Sequence, residues 1–252
     1  MELILKDKVA IVTGAAGGFG VAYSRALARA GAQVVLADID EPGAKAAAKD
    51  LTSEGLTAVG VHTDVSSEES AAGLAAAAIE RFGGIDILVN NAALMAEIPL
   101  GQPLGELPIE VWENVLRINL TGPLICTQAV LPSMKERGSG KIINQSSGGA
   151  FNPSGVYGVS KLGLVSLTAS LARELAPDKI NVNAIAPGFV KTEAGIRATP
   201  EAMIPIVEQM VPLKGFGETD DVIGALLYLA SSASDWMTGQ TLNVDGGWVM
   251  RL

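Results

Sequence analysis

The strongest constraint on the fold is a regular alternation of short, β-branched apolar runs with longer helical patterns along the 252 residues. Such an alternation is typical of a parallel sheet with helices on both faces, because each strand is then buried on both sides. We therefore predict a Rossmann-type α/β fold with a doubly wound parallel sheet of about seven strands. The expected strands are 8–13, 33–38, 57–62, 86–90, 140–145, 179–184 and 241–244. The expected helices are 18–30, 42–53, 68–82, 109–137 (one or two helices), 155–176 and 219–231.

The chain shows no linker, internal repeat or low-complexity tract, so we expect one nucleotide-binding domain over residues 1–252. The one long interruption between core elements lies at about 189–217 and is rich in Met, Ile, Pro and Thr. Long segments of this kind are usually functional or mobile. We predict that this segment is a lid over the substrate.

Charge and composition exclude several classes of function. The net charge of −9 argues against nucleic acid and anionic membranes as partners. His62 is the only histidine and Cys126 the only cysteine, so a zinc site with several such ligands is excluded and no metal site is expected. The sequence shows no secretion signal and no apolar run long enough to span a bilayer, which predicts a cytoplasmic protein.

A glycine-rich turn connects the first predicted strand to the first helix, from Gly14 to Gly20. Glycines let the backbone turn sharply and approach a pyrophosphate, and the helix N-terminus then offers free N–H groups. The strand–turn–helix context favours dinucleotide binding, with an ordinary strand-to-helix turn as the alternative.

Asp38 ends the second predicted strand, where a carboxylate can accept hydrogen bonds from both hydroxyls of the adenosine ribose. The same charge would repel a 2′-phosphate, and neither Ala15 nor Ile39 offers a cation to hold that phosphate. This favours NAD as the cofactor and makes NADP the less favoured one. The alternative is that Asp38 is an ordinary turn residue.

Tyr157 and Lys161 lie four residues apart in a predicted helix, so their side chains share one face. A free tyrosine has a pKa of about 10, and an ammonium group beside it favours the phenolate. The pair therefore has the chemistry of an acid/base device working toward neutral pH. Alone it is a weak signal; it gains weight from the glycine-rich turn upstream and from Ser146 and Ser147 just before it.

Together these motifs resemble the short-chain dehydrogenase/reductase family, in its compact single-domain branch, over essentially the whole chain. The family's Thr-Gly-x-x-x-Gly-x-Gly is similar to residues 13–20. Further segments that resemble family motifs are Asp64-Val65, Asn90-Asn91-Ala92-Ala93, Ser146-Ser147, Pro187-Gly188 through Thr192, and Val244-Asp245-Gly246-Gly247. Three departures are Ala93 in place of the usual glycine, Phe19 in place of a smaller residue, and a spacing of only ten residues from Ser147 to Tyr157.

The resemblance implies four catalytic residues. Tyr157 would exchange a proton with the substrate oxygen, and Lys161 would lower the pKa of Tyr157 and hold the nicotinamide ribose. Ser147 would hydrogen-bond the substrate oxygen, although Ser146 remains the alternative at that position. Asn119 would anchor a water molecule in a proton path.

The resemblance also implies a set of residues that contact the cofactor. They are Gly14, Gly18, Phe19, Gly20, Asp38, Asp64, Val65, Asn91, Ala92, Tyr157, Lys161, Pro187, Gly188, Val190 and Thr192.

The predicted substrate pocket is mostly apolar and has no cluster of cations. Its expected lining is Leu94, Met95, Ser147, Gly149, Tyr157, Ile196 and Met203, and the tail from Trp248 onward is a further candidate. This lining favours an uncharged, moderately hydrophobic secondary alcohol or ketone, either alicyclic, aromatic or terpenoid. The alternative is that many of these residues only pack the lid onto the body.

Small residues in two predicted helices, among them Gly158, Gly163, Ala169 and Ala172, would permit close helix contact between subunits. Since the family usually forms tetramers, we expect a homotetramer, or else a dimer. A competing function is that of a 3-oxoacyl-carrier-protein reductase, which would normally use NADPH and a basic docking patch. A catalytically inactive NAD-binding regulator is the third possibility, and the filled catalytic positions weigh against it.

Overall fold

The fold is built on one sheet of seven parallel strands in a computed structural model, which describes residues 4–95, 98, 102–197, 199, 201–213 and 215–251. The strand order is β3-β2-β1-β4-β5-β6-β7, and every neighbouring pair is parallel. The strands are β1 (Val9–Thr13), β2 (Gln33–Asp38), β3 (Ala58–His62), β4 (Ile87–Asn90), β5 (Gly140–Gln145), β6 (Ile180–Pro187) and β7 (Thr241–Val244). The predicted doubly wound parallel sheet is confirmed.

Nine α-helices occur in the described ranges. They are α1 (Gly18–Arg29), α2 (Glu41–Ser53), α3 (Glu68–Phe82), α4 (Ile109–Leu116), α5 (Gly122–Arg137), α6 (Gly155–Leu175), α7 (Glu193–Arg197), α8 (Ile204–Met210) and α9 (Asp220–Ala230). The largest difference from the predicted elements of the sheet is at β6, which runs three residues further, to Pro187. Proline lacks an N–H, but β5 pairs with β6 only as far as Ile185, so Pro187 interrupts no pair between these two strands.

Alternate residues of the strands supply two separate cores, because successive side chains of a strand point to opposite faces. On one face, Val12 and Ile143 pack with α1, α2 and α9. On the other, Ile11 and Ile142 pack with α3, α5 and α6. Burial of each such aliphatic side chain contributes about 1.5–3 kcal/mol, so the sheet is stabilised from both sides and its strand ends are held in register.

The predicted helical region 109–137 is continuous, but its centre is a π-helical turn at Arg117–Thr121 between α4 and α5. Such turns carry an extra residue and are frequent at functional sites. Asn119, a predicted catalytic residue, lies inside this turn and is fully buried.

One helical segment, Gly155–Asp178, is long and apolar enough to cross a membrane by length and composition alone, contrary to the expectation that the sequence holds no such run. The segment is α6 with its C-terminal turn. Leu171 and Leu175 of this helix pack into the core below the sheet, and a helix that is apolar on most sides is found in cores as well as in membranes. A cytoplasmic location stays a prediction.

The small residues that were expected to face another subunit make close contacts within the chain. A Cβ at Gly158 would lie 2.8 Å from the carbonyl oxygen of Gly149, and one at Gly163 would lie 2.9 Å from Leu120. Ala172 lies 3.4 Å from where a Cβ of Gly239 would be. These residues therefore give no support of their own to subunit contact.

The two ends of segment 189–217 lie side by side and are hydrogen-bonded to each other. A parallel bridge pairs Val190 with Gly217. The N–H of Gly217 donates to the carbonyl of Phe189 at 2.8 Å, and that of Lys191 donates to the carbonyl of Gly217 at 2.9 Å. Between these ends the segment contains α7 and α8, which were not predicted.

Candidate active site

Most of the residues singled out from the sequence lie at the carboxyl ends of strands β1 to β6, on α6 or in the π-helical turn. The strand order reverses between β1 and β4. In open α/β sheets, ligands bind in the crevice that opens at such a reversal. The glycine-rich turn follows β1, Asn91 follows β4, Ser147 follows β5 and Gly188 follows β6.

The glycine-rich turn has the geometry of an anion cradle. Gly14 and Gly18 have positive φ angles of 64° and 51°, which favour glycine. A Cβ at Gly20 would collide with the carbonyl oxygen of Gly14. The N-cap of α1 is Gly17, and no side chain caps the first turn, so its N–H groups are suited to an anion such as a diphosphate. The turn therefore fits the dinucleotide that the sequence predicts.

Asn91 and Ala92 hold the glycine-rich turn against the end of β4. The side-chain amide of Asn91 donates to the carbonyls of Thr13 at 2.9 Å and Gly14 at 3.0 Å. The hydroxyl of Thr13 accepts from the backbone N–H groups of Asn91 at 3.0 Å and Ala92 at 3.1 Å. Thr13 thus organises the turn, although the sequence analysis gave it no role beyond the motif.

Asp38 lies where the adenosine ribose was expected, and it already fixes two backbone N–H groups. Its Oδ2 accepts from Ala16 at 2.8 Å and its Oδ1 from Asp40 at 3.0 Å. Each carboxylate oxygen keeps further acceptor capacity, so the two bonds orient the carboxylate without preventing it from binding ribose hydroxyls.

Asp64 and Val65 follow β3 at the predicted adenine end. The hydroxyl and the N–H of Ser66 donate to Oδ1 of Asp64 at 2.7 and 2.9 Å, and these bonds hold the pKa of the Asp64 carboxyl below its usual value. Val65 is buried and packs against Gly122, where a Cβ would lie only 3.1 Å from its side chain.

Ser146 and Ser147 have different environments in the structure, which bears on the choice between them that the sequence left open. The hydroxyl of Ser146 is buried and donates to the carbonyl of Lys161 at 3.1 Å. Ser147 is partly exposed, and its hydroxyl accepts from the N–H of Gly149 at 3.1 Å. Ser147 also interacts with the Tyr157 hydroxyl, so Ser147 is the serine that faces the tyrosine.

Burial dominates the acid/base properties of Tyr157 and Lys161. It raises the pKa of Tyr157 to about 12, although the hydrogen bond with Ser147 acts in the opposite direction. It lowers the pKa of Lys161 to about 7. The Lys161 Nζ lies 5.7 Å from the centroid of the Tyr157 ring. The direction is opposite to the lowering by Lys161 that the sequence led us to expect, because burial disfavours the phenolate.

Asn119 joins three elements at the back of the site. Its side chain accepts from the N–H of Leu94 at 2.8 Å and donates to the carbonyl of Leu94 at 3.0 Å and to the hydroxyl of Ser160 at 3.1 Å. These bonds connect the segment after β4 to α6. Water anchoring by Asn119 stays a prediction.

The predicted nicotinamide loop after β6 closes onto the rest of the site. A Cβ at Gly188 would lie 2.8 Å from Asp245, and one at Gly18 would lie 3.7 Å from Thr192. Thr192 is nearly buried and its hydroxyl accepts from the N–H of Gly195 at 2.9 Å. Pro187 ends β6 and Val190 forms the bridge to Gly217.

An aromatic cluster lies beside the turn that carries Ser147. The rings of Phe189 and Trp248 have centroids 4.4 Å apart, and Phe189 and Phe216 meet edge-on at 6.1 Å. The sequence analysis named the tail from Trp248 only as a candidate and gave the two phenylalanines no role. The three rings come from separate segments of the chain, so the sequence alone does not indicate that they form a cluster.

The residues predicted to line the substrate pocket lie in different environments. Leu94 and Met95 are partly buried, whereas Ile196 and Met203 are exposed, at 61% and 39%. Gly149 is buried and supports Ser147. The described residues hold no group of three or more His, Cys, Asp or Glu side chains that could bind a metal ion.

Two of the three departures from the family pattern are accommodated without strain. Ala93 is exposed, and its φ angle is not among the positive values of the described residues. Phe19 is partly buried and packs on Tyr23 with ring centroids 5.4 Å apart.

Comparison with known proteins gives concordant results over the whole chain. A family model described as enoyl-(acyl carrier protein) reductase matches residues 14–249. An uncharacterised oxidoreductase of Mycobacterium tuberculosis is 47% identical over 245 residues, covering 97% of this chain and 98% of that protein. The human dehydrogenase/reductase SDR family member 4 is 37% identical over 252 residues, covering 98% of this chain and 90% of that protein.

A solved structure shows the same likeness in three dimensions. The crystal structure of a short-chain type dehydrogenase/reductase from Mycobacterium marinum superimposes with a TM-score of 0.92 at 32% identity, covering 99% of this chain and 98% of that one.

Proposed function

This chain belongs to the short-chain dehydrogenase/reductase family, and on that premise we propose that it is a NAD-dependent oxidoreductase that interconverts a secondary alcohol and a ketone. Members of the family bind a nicotinamide cofactor, and the uncapped glycine-rich turn fits the diphosphate of one. The observation that carries the proposal is the cluster of Ser147, Tyr157 and Lys161, which follows β5 at the same edge of the sheet where the glycine-rich turn follows β1.

In the proposed reaction the protein moves the proton and positions the substrate. A nicotinamide cofactor held by the glycine-rich turn and Asp38 would supply the hydride chemistry of the reaction. As the phenolate, Tyr157 takes the alcohol proton during oxidation, and as the neutral hydroxyl it gives a proton to the substrate oxygen during reduction. The Ser147 hydroxyl hydrogen-bonds the substrate oxygen and holds it near Tyr157. When Lys161 carries its proton, its charge favours the phenolate of Tyr157.

Asp38 supports NAD as the preferred cofactor. Its carboxylate is oriented by Ala16 and Asp40 at the end of β2. A 2′-phosphate placed there would meet a fixed negative charge, and a like-charge contact of this kind costs several kcal/mol.

The aromatic cluster and segment 189–217 support a hydrophobic substrate. Phe189 and Trp248 pack together beside the Ser147 turn. Ile196, Met203 and Ile206 leave large apolar side chains exposed on a segment whose two ends meet at the Val190–Gly217 bridge. We propose that this segment is a lid whose apolar side chains cover an uncharged alicyclic, aromatic or terpenoid alcohol.

We propose that the chain assembles as a homotetramer, or else a dimer. Val159 and Leu162 leave 42% and 50% of their surface exposed on α6, and Ile109 leaves 63% exposed on α4. Apolar side chains that cluster on neighbouring helices are typical of protein–protein contacts.

A second candidate is a 3-oxoacyl-carrier-protein reductase, and the matching family model, described as an enoyl-(acyl carrier protein) reductase, favours a substrate attached to a carrier protein. Carrier proteins are acidic partners in this proposal, and the net charge of −9 disfavours their docking. The same experiment decides between the two candidates.

The experiment measures NADH absorbance with the purified protein, NAD and a panel of cyclic, benzylic, terpenoid and steroid alcohols and a 3-hydroxyacyl thioester. NADP is run in parallel. Turnover of a hydrophobic alcohol with NAD is the expected result. Turnover of the thioester alone supports the second candidate. NADH binding, followed by fluorescence, without turnover of any substrate would favour the inactive NAD-binding regulator.

A further inference from the structure

Gln145, the last residue of β5, makes hydrogen bonds on both faces of the sheet. Its side chain points to the face covered by α1, where the Tyr23 hydroxyl donates to Oε1 at 2.8 Å. Tyr23 is fully buried and Gln145 is only 6% exposed. The two residues are 122 positions apart in the chain, so this bond joins the nucleotide-binding helix to the strand that precedes Ser147.

The backbone carbonyl of Gln145 receives Lys161 from the face covered by α6. The Lys161 Nζ donates to this carbonyl at 2.8 Å. The N–H of Ser146, in the same peptide group, donates to the carbonyl of Ile185 at 2.7 Å. One peptide plane therefore carries Lys161 on its oxygen and is fixed to β6 through its nitrogen.

We propose that Tyr23 and Gln145 are positioning residues for Lys161, which act from the opposite face of the sheet. This inference rests on the proposed function only for the catalytic role of Lys161. Tyr23 fixes the Gln145 side chain, the fixed residue sets the direction of its carbonyl, and the carbonyl determines where the ammonium group lies. The residues therefore act through Lys161 and do not touch the reacting atoms.

Tyr23 and Gln145 can position Lys161 in the same way at every pH, because neither side chain changes its charge. Burial raises the pKa of Tyr23 far above its usual value, so its hydroxyl remains a neutral donor at every working pH. Gln145 does not titrate. The hydrogen bond between Tyr23 and Gln145 is buried, so water does not compete for it and its loss leaves an unsatisfied group.

Few titratable groups face the Lys161 Nζ. Tyr157 on the same helix lies 5.7 Å away, measured to its ring centroid, and Tyr23 approaches from α1 with Gln145 between them. The neighbours Ser146 and Asn119 are neutral. Among the described residues, burial is the cause that lowers the pKa of Lys161, with no carboxylate contributing. The carbonyl of Gln145 acts against burial, because a hydrogen bond to the charged form favours that form.

The test measures the titration of Lys161 in the free protein by NMR of ε-carbon-labelled lysine, with Lys161→Arg to assign the signal. Tyr23→Phe removes the hydroxyl and keeps the ring packed on Phe19. We expect the Lys161 midpoint to fall by roughly half a pH unit or more, since the carbonyl is less firmly placed. Ser133→Ala is the matched control: it removes a buried hydroxyl that accepts from Ile85 at 3.0 Å, far from Lys161.

A double variant separates positioning from stability. Tyr23→Phe combined with Gln145→Met replaces both polar partners by apolar groups, which restores much of the lost stability. We expect the lowered midpoint to persist in this variant. A midpoint that is unchanged or raised in both variants, or lowered equally in Ser133→Ala, overturns the proposal. The titration needs no substrate, so an enzyme without alcohol turnover would contradict the proposed function and leave this result standing.

Discussion

The indole ring of Trp248 lies directly over Gly148, so that a Cβ at this glycine would come within 2.6 Å of the ring carbon Cζ3. Gly148 follows Ser147, which faces Tyr157. The C-terminal tail is held in this position by Asp245, whose carboxylate accepts from the N–H groups of Gly247 and Val249, each at 3.0 Å. The tail therefore forms one wall of the candidate site within the same chain.

The first prediction follows from this contact. Gly148→Ala forces the Trp248 ring away from the Ser147 turn, because the new methyl group cannot share its space. We expect kcat/KM for the best alcohol to fall by roughly 10- to 100-fold, as small displacements of positioned groups do, while NADH affinity is unchanged. Gly73→Ala is the control, since a Cβ there meets nothing within 4 Å. An unchanged kcat/KM in Gly148→Ala would show that Trp248 does not shape the site.

Tyr157→Phe tests the proton transfer. Removal of the hydroxyl leaves the ring in place but takes away the group that exchanges the proton with substrate. We expect kcat to fall by roughly 10²- to 10⁴-fold, the usual contribution of a general acid or base, with NADH binding retained in a fluorescence titration. Turnover within about tenfold of the wild type would contradict the assignment of Tyr157.

Asp38→Asn tests the cofactor preference. The amide keeps an oxygen that can accept from Ala16 or Asp40, but it carries no charge to repel a 2′-phosphate. We expect the ratio of kcat/KM with NAD to that with NADP to fall by roughly tenfold or more. Asp40→Asn is the matched control, because it removes a nearby exposed charge that caps α2. Equal ratios in the two variants would assign the preference to another residue.

The buried Lys161 predicts a dependence of stability on pH. Its pKa is about 7 in the folded protein against the ordinary 10.5, so between these values the unfolded chain binds the additional proton. Stability then rises with pH through this window, and the full cost of the buried charge is present below it. We expect the stability of the wild type relative to Lys161→Met to increase by roughly 1–3 kcal/mol between pH 7 and pH 9. Chemical denaturation of both proteins measures this difference.

Comparison with Lys161→Met removes the contribution of the other buried titratable groups to the pH dependence of stability, because both proteins contain these groups. Burial raises the pKa of Cys126 from 9.0 and that of Tyr157 from 10.0, each to about 12. In both cases the folded state holds the proton longer, so stability falls as pH rises above the ordinary value. Parallel curves for the two proteins from pH 7 to pH 9 would mean that Lys161 is not buried as described.

The order of the elements was predictable because it depends on local patterns. Alternation of apolar strands with helices fixes a parallel sheet, and the glycine-rich turn after β1 marks its crevice. The bounds of β2, α3, β5 and β7 agree with the predicted ones, since each is delimited by glycine, proline or polar residues. The helices α7 and α8 were missed because their short, mixed sequences carry no clear period.

The contacts within the site were less predictable. The choice between Ser146 and Ser147 depends on which hydroxyl faces Tyr157, since both serines contact α6, and the sequence around them does not reveal this. The bond between Tyr23 and Gln145 joins distant segments and depends on the register of the sheet. Small residues on α6 were interpreted as a subunit contact, whereas their neighbours are Gly149 and Leu120 in the same chain, because composition cannot tell an internal contact from an external one.

The bridge between Val190 and Gly217 has a consequence for how such an enzyme can change over generations. Because the segment leaves and rejoins the body at adjacent points, its interior can be replaced, lengthened or shortened with little effect on the sheet. Selection can therefore alter which substrates are accepted while the residues that we propose to carry out the chemistry stay under separate constraint. The segment that would recognise the substrate and the residues that would react with it are encoded in one chain but can evolve at different rates.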